Sequence, residues 1–174
     1  MNKMMSVFCL LLLMTITAGV NSQVTGSLTY LNFDDDADFD AVAGSVGYRF
    51  EELDNFFLIP ELRGGLGVGS ERIPSITIEE VTLELDRFIG VGNRAQYEFG
   101  NGVYLFAAVS YINYRFKEQI TPLEGAPTSR TDSSWEWGVG GGLGFQLTDM
   151  LGAEGSWERV DGADLFTAGL RIRF

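Results

Sequence analysis

Residues 165–174, Leu-Phe-Thr-Ala-Gly-Leu-Arg-Ile-Arg-Phe, alternate between two chemically different faces. Phe166, Ala168, Leu170, Ile172 and Phe174 share one face, and Leu165, Thr167, Gly169, Arg171 and Arg173 share the other. Side chains of an extended strand point to its two sides in turn. Period-two alternation therefore predicts a strand between an apolar and a polar environment. Ten residues is also about the length a tilted strand needs to cross a bilayer.

Residues 1–22 have a different pattern: one basic residue (Lys3), an apolar run over residues 7–16, then Val20-Asn21-Ser22. This is the charged, apolar and small-residue order of a secretory signal peptide, with cleavage expected before Gln23. The run is too short for a spanning helix, and no other apolar stretch is longer. The single cysteine, Cys9, lies inside this run and leaves with it, so the mature chain is expected to fold without disulfides. Phe8 and the apolar sequence after Cys9 do not fit a lipoprotein cleavage box. Residues 23–174 then suit one domain. Losing Lys3 leaves 11 basic against 24 acidic residues, a net charge of −13, which excludes nucleic-acid binding through a basic surface.

Eight alternating segments can be traced, at residues 23–30, 41–50, 56–69, 81–99, 103–116, 135–147, 151–160 and 165–174. The fourth is too long for one crossing and is expected to project beyond the membrane. Connections at 51–55, 100–102 and 148–150 are short, and Gly100-Asn101-Gly102 carries a tight-hairpin signal. The connections at 34–38, 70–78 (with Pro74), 117–134 (with two prolines) and 161–164 are mostly polar. Short turns at one end and polar loops at the other are the asymmetry of a membrane barrel.

With the aromatic-bearing face outward, the inward positions collect Glu61, Glu84, Asp86, Glu98, Glu136, Glu154 and Glu158, together with Arg49, Arg63, Arg94, Arg115, Arg171 and Arg173. Seven acids meet six bases in a chain that is strongly acidic elsewhere. A narrow lumen requires such matching, because an unpaired buried charge costs several kcal/mol. Gly138, Gly140, Gly142 and Gly144 also fall inward, leaving room for long side chains. The outward aromatics Tyr48, Phe50, Tyr97, Phe99, Trp135, Trp137, Trp157 and Phe174 lie near segment ends, as an interfacial girdle does. Two segments fit less well. Asn93 falls outward near mid-membrane, and the fifth segment has ambiguous faces: with Tyr104, Phe106, Ile112, Tyr114 and Phe116 outward, Leu105 and Val109 would point into the lumen. Arg87 falls outward at the height of headgroup phosphates.

The leader, the eight segments, the inward Glu/Arg set and the terminal Arg-Ile-Arg-Phe resemble the small OmpA/OmpX/opacity-type outer-membrane barrels. The resemblance spans the whole mature chain as pattern rather than as an invariant motif. It implies an all-β, eight-stranded, antiparallel up-and-down transmembrane barrel in the outer membrane of a Gram-negative-type bacterium. It also implies contact with outer-membrane lipid and lipopolysaccharide, and Phe174 as a signal for the barrel-assembly machinery.

The chain contains no histidine, which removes Ser-His-Asp and Cys-His catalysis and histidine metal sites. The enzymes among small outer-membrane barrels resemble one another in using a histidine, so none is expected here, and no cofactor. The run Asp34-Asp35-Asp36-Ala37-Asp38-Phe39-Asp40 places carboxylates at alternate positions, with Asp34, Asp36 and Asp38 as candidate calcium ligands. Phe39 and Ser45 stand where an EF-type loop needs glycine and glutamate, so a solvated loop is the simpler reading. Gly90-Val91-Gly92-Asn93-Arg94-Ala95 matches a dinucleotide fingerprint only formally, since no helix follows it. Three functional readings remain: a structural or surface-interaction barrel whose loops contact a ligand, a narrow porin-like channel, or a soluble periplasmic lipocalin-like carrier with its apolar face inward.

Overall fold

The computed structural model describes residues 23–34, 39–68, 71–74, 79–122 and 128–174. Residues 1–22, expected to be the leader, lie outside these, as do Asp36 and Asp38. The described chain forms β1 (Gln23–Asp34), β2 (Phe39–Leu53), β3 (Phe56–Gly67), β4 (Glu71–Pro74), β5 (Glu79–Glu98), β6 (Val103–Pro122), β7 (Thr128–Gln146), β8 (Leu151–Val160) and β9 (Ala163–Arg173), with no helix. Each strand pairs antiparallel with its neighbours. The first strand also pairs with the last, and β3 pairs with β5, so eight strands close into a barrel. The short β4 adds to the projecting half of β5. Closure leaves the eight-stranded body without a free edge, which strands in hydrocarbon require.

Local chemistry sets the turns. Asn55 (φ 65°) and Gly102 (φ 83°) take left-handed backbone at one end, and Asp161-Gly162 (φ 47° and 96°) forms a two-residue hairpin at the other. Asn, Asp and Gly tolerate these angles best. We call the end carrying the connections β2–β3, β5–β6 and β7–β8 the turn end, and the opposite end the loop end.

At the loop end the barrel does not stop where the sequence pattern does. β5 and β6 each have 20 residues and β7 has 19. Residues 117–122 and 128–134, expected to be loop, instead continue the ladder, with Lys117 opposite Thr131 and Gln119 opposite Ser129. Residues 128–134 are exposed on both faces of the strand, which erases the hydrophobic alternation there.

A bulge between Leu85 and Arg87 changes which residues face inward. Asp86 is the extra residue, so alternation on β5 reverses above it. Leu85 is buried opposite Phe116, while Glu84 is exposed opposite Lys117. The expectation that Glu84 and Asp86 face the lumen is thereby corrected. β6 takes the opposite phase to the one with Tyr104 and Tyr114 outward. Tyr104, Ile112 and Tyr114 are buried inside, whereas Leu105 and Val109 are exposed outside. The same phase puts Arg115 on the outer face, with 39% of its side chain exposed, rather than in the lumen.

Candidate functional site

With Glu84, Asp86 and Arg115 moved out, the inward face carries five acids and five bases. The acids are Glu61, Glu98, Glu136, Glu154 and Glu158; the bases are Arg49, Arg63, Arg94, Arg171 and Arg173. Signs alternate through a connected chain. Arg94 lies 2.9 Å from Glu154, Glu154 lies 3.0 Å from Arg171, and Arg171 lies 2.8 Å from Glu61. Arg63 then bridges Glu61 at 3.6 Å and Glu158 at 2.7 Å. Arg171 grips Glu154 through two nitrogens and donates a third hydrogen bond to Thr25 Oγ1 at 3.2 Å. Ser110 donates to Glu158. Nearer the turn end, Glu98 accepts from both Arg49 (2.8 Å) and Arg173, and from Gln96 at 2.6 Å.

The strands position these groups by exchanging bulk for space. Arg94 and Arg49 lay their guanidinium planes over Phe106 and Phe57, with 3.4 and 3.3 Å to the ring centroids. The inward glycines of β7 make room: a Cβ on Gly138 would come within 2.5 Å of Glu158 Oε1 and Ser110 Oγ, and one on Gly142 within 2.5 Å of Phe106. The serine and aromatic partners on β6 were missed from sequence because the phase of that strand was ambiguous.

Toward the loop end the interior becomes apolar. Leu31, Phe33, Phe39, Ala41, Ala43, Leu85, Phe88, Ile112, Tyr114, Val160 and Leu165 form one buried cluster, with Phe116 packed against it. Phe33 meets Tyr114 edge to face at 5.2 Å. This second layer was not anticipated as a unit, since its members come from six strands. A cavity of about 50 Å³, lined in part by Ser27, Ser45, Ser156 and Thr167, separates it from the charges.

On the outer wall, Tyr48 packs on Phe50 and Tyr97 on Phe99 at the turn end. Phe50 shares the face of Tyr48 by alternation but is only 8% exposed. Near the loop end Tyr111 stacks between Trp135 and Trp137, both at 4.8 Å, and Trp157 pairs with Phe166. Tyr111, Phe145 and Phe166 extend the two aromatic bands beyond the residues expected. From Trp135 to Phe145 is ten residues, about 33 Å along the strand at ~3.3 Å per residue. Tilted by about 40°, this spans roughly 25 Å, the height of a transmembrane apolar band. Leu62, Val139, Leu143 and Leu170 are exposed between the bands, as is Asn93. Phe174 is exposed at the turn end and donates its backbone N–H to Val24 O at 2.9 Å. Asp34 is exposed, and no group of acidic residues among the described residues could hold a metal ion.

A closed antiparallel barrel with charged interior, apolar wall and two aromatic bands defines a membrane barrel. The chain belongs to the outer membrane protein beta-barrel domain family, which matches residues 6–174. Among solved structures it is similar to Ail, the attachment invasion locus protein of Yersinia pestis, with 16% identity and TM-score 0.52, covering 88% of this chain and 97% of that one. It is equally similar to Neisserial surface protein A, with 14% identity, TM-score 0.52 and the same coverage. A de novo designed transmembrane β-barrel matches with 11% identity and TM-score 0.54, covering 91% of this chain and all of the design. No curated protein matches in sequence. The protein is thus an outer-membrane β-barrel of the small eight-stranded class.

Proposed function

We propose that this protein is a closed, non-enzymatic outer-membrane barrel that serves membrane structure and surface interaction through its loop end. The observation that carries the reading is the two-layered interior. Any path along the barrel axis must break the alternating ion-pair chain and then cross an apolar cluster of aromatic rings. The intervening cavity, of about 50 Å³, has room for only a few waters. An apolar layer resists wetting, and the charged layer resists dismantling because each carboxylate set free would remain buried.

The absence of histidine argues against the hydrolytic and acyl-transfer chemistries of membrane-barrel enzymes, and Glu61, Glu98, Glu154 and Glu158 are held in ion pairs rather than aimed at a substrate cleft. A soluble carrier would need its apolar side chains inside and its charges outside, the reverse of the wall and lumen described above. Residues 1–22 serve as the cleaved leader in this reading, and Phe174 as the residue read during assembly. The projecting sheet of β4–β7 and the acidic loops offer the surface for a partner. Ail has been solved with the heparin analogue sucrose octasulfate; acidic loops on this chain make a polyanionic glycan a poor partner for them.

Planar-bilayer recording tests the reading. The folded chain should add no reproducible conductance steps, whereas steady single-channel currents from the wild type would overturn it in favour of a narrow pore.

A further inference from the structure

The phase of β6 brings Arg115 out of the lumen and onto the wall, beside Arg87 at the edge of the β5 bulge. Arg87 and Arg115 are direct cross-strand partners on β5 and β6, and both point outward. Like charges facing each other across an antiparallel pair, about 5 Å apart, destabilise the pair unless an anion lies between them. The local carboxylates meet that need only in part, because Asp86 is shared between Arg115 and Lys117. Asp86 accepts a hydrogen bond from Lys117, and its other oxygen lies 3.7 Å from Arg115 Nε. Glu84 stands two pairs higher, opposite Lys117. Among the described residues Arg87 has no ion-pair partner.

The register fixes what lies around the two arginines. Arg115 is paired with Ser133, two residues along β7 from Trp135. The arginine pair therefore sits about 7 Å beyond the Trp135 row of the aromatic band, where headgroups begin. The next row toward the bilayer centre reads Leu28, Gly44, Gly64, Ile89 and Asn113 across five strands. Its two glycines leave a furrow between Leu28 and Ile89, and a Cβ at Gly64 would meet nothing nearer than 3.6 Å. Arg87, Arg115, Leu28, Gly64 and Ile89 line one shared depression on the wall.

We infer that Arg87 and Arg115 form a phosphate clamp for a phosphorylated lipid of the outer leaflet, one of whose acyl chains lies in the glycine furrow. Two guanidinium forks can grip a phosphate with several charge-assisted hydrogen bonds, which a pair of ammonium groups does less well. The inference rests on the membrane embedding and on the loop end facing outward, not on whether the lumen is closed.

Native mass spectrometry of the detergent-folded full chain, titrated with bis-phosphorylated lipid A, reads the site directly. The wild type should hold one lipid, and the double variant R87Q/R115Q should bind at least about tenfold more weakly, as expected for lost charge-assisted contacts. Gly64→Leu should fill the furrow and weaken binding without touching a charge. Lipid A stripped of phosphate should bind no better to the wild type than to the double variant. Equal retention by wild type and double variant, or the same occupancy with inorganic phosphate alone, would overturn the inference. A heat-dependent mobility shift on each sample reports barrel closure separately, so loss of lipid binding is distinguishable from loss of the fold.

Discussion

Glu154 is the residue on which the interior depends most. It lies between Arg94 at 2.9 Å and Arg171 at 3.0 Å, and all three side chains are less than a tenth exposed. Glu154→Gln keeps shape and removes only the charge. Arg171 then retains Glu61 at 2.8 Å, but Arg94 loses the only carboxylate within ion-pair distance among the described residues. Its stacking on Phe106 does not neutralise it. Breaking a buried pair by removing one partner costs about 3–5 kcal/mol. Against a typical domain stability of about 5–15 kcal/mol, that is a large part of the margin. Replacing both partners, as in R94M/E154Q, removes the orphaned charge, so the double variant should recover most of the loss. The coupling should then appear as strong non-additivity in the cycle. Urea unfolding in lipid vesicles, followed by tryptophan fluorescence, measures each variant. A Glu154→Gln midpoint within about 0.5 kcal/mol of wild type would refute the reasoning, because surface substitutions behave that way.

Val139 is exposed on the lipid face of β7, between Trp137 and Phe145. Val139→Arg should cost about 2–4 kcal/mol in vesicles, read by the same unfolding assay. Gly169 faces inward on β9, where a Cβ would collide with the Leu28 carbonyl and Thr29. Gly169→Val should lower stability by about 1–3 kcal/mol through overpacking, whereas Gly64→Leu on the outer wall should change it little. Deleting Phe174 should reduce the amount of heat-modifiable protein in the outer membrane; full-level assembly of the truncated chain would count against its role as the signal.

The alternation of β1, β2, β3, β8 and β9 was legible because each of those strands meets lipid on one side and a polar lumen on the other. Arg49, Glu61, Arg63, Glu154, Glu158 and Arg171 could be assigned from parity alone. β6 could not, since its inward face is aromatic at both ends: Tyr104 and Phe106 serve as platforms near arginines, and Tyr114 and Phe116 join the apolar layer. Inward rings and lipid-facing rings look identical in a sequence. The misplacement of Glu84, Asp86 and Arg115 has one cause in the Asp86 bulge and another in the phase of β6. A single extra residue reverses every assignment above it, and nothing in the composition of residues 84–87 announces it. Residues 128–134 were read as loop for a related reason: a strand exposed on both faces carries no alternation. Correcting these errors improves the physics, since a lumen count of seven acids to six bases becomes five to five.

The most direct test of the account is electrophoretic mobility of the outer-membrane fraction in SDS, unheated against boiled. A barrel closed by β1–β9 pairing and locked by the lumen ion pairs should survive unheated SDS and run at a different apparent mass from its boiled form. Identical mobility in both lanes, with the protein recovered from the soluble periplasm, would contradict it.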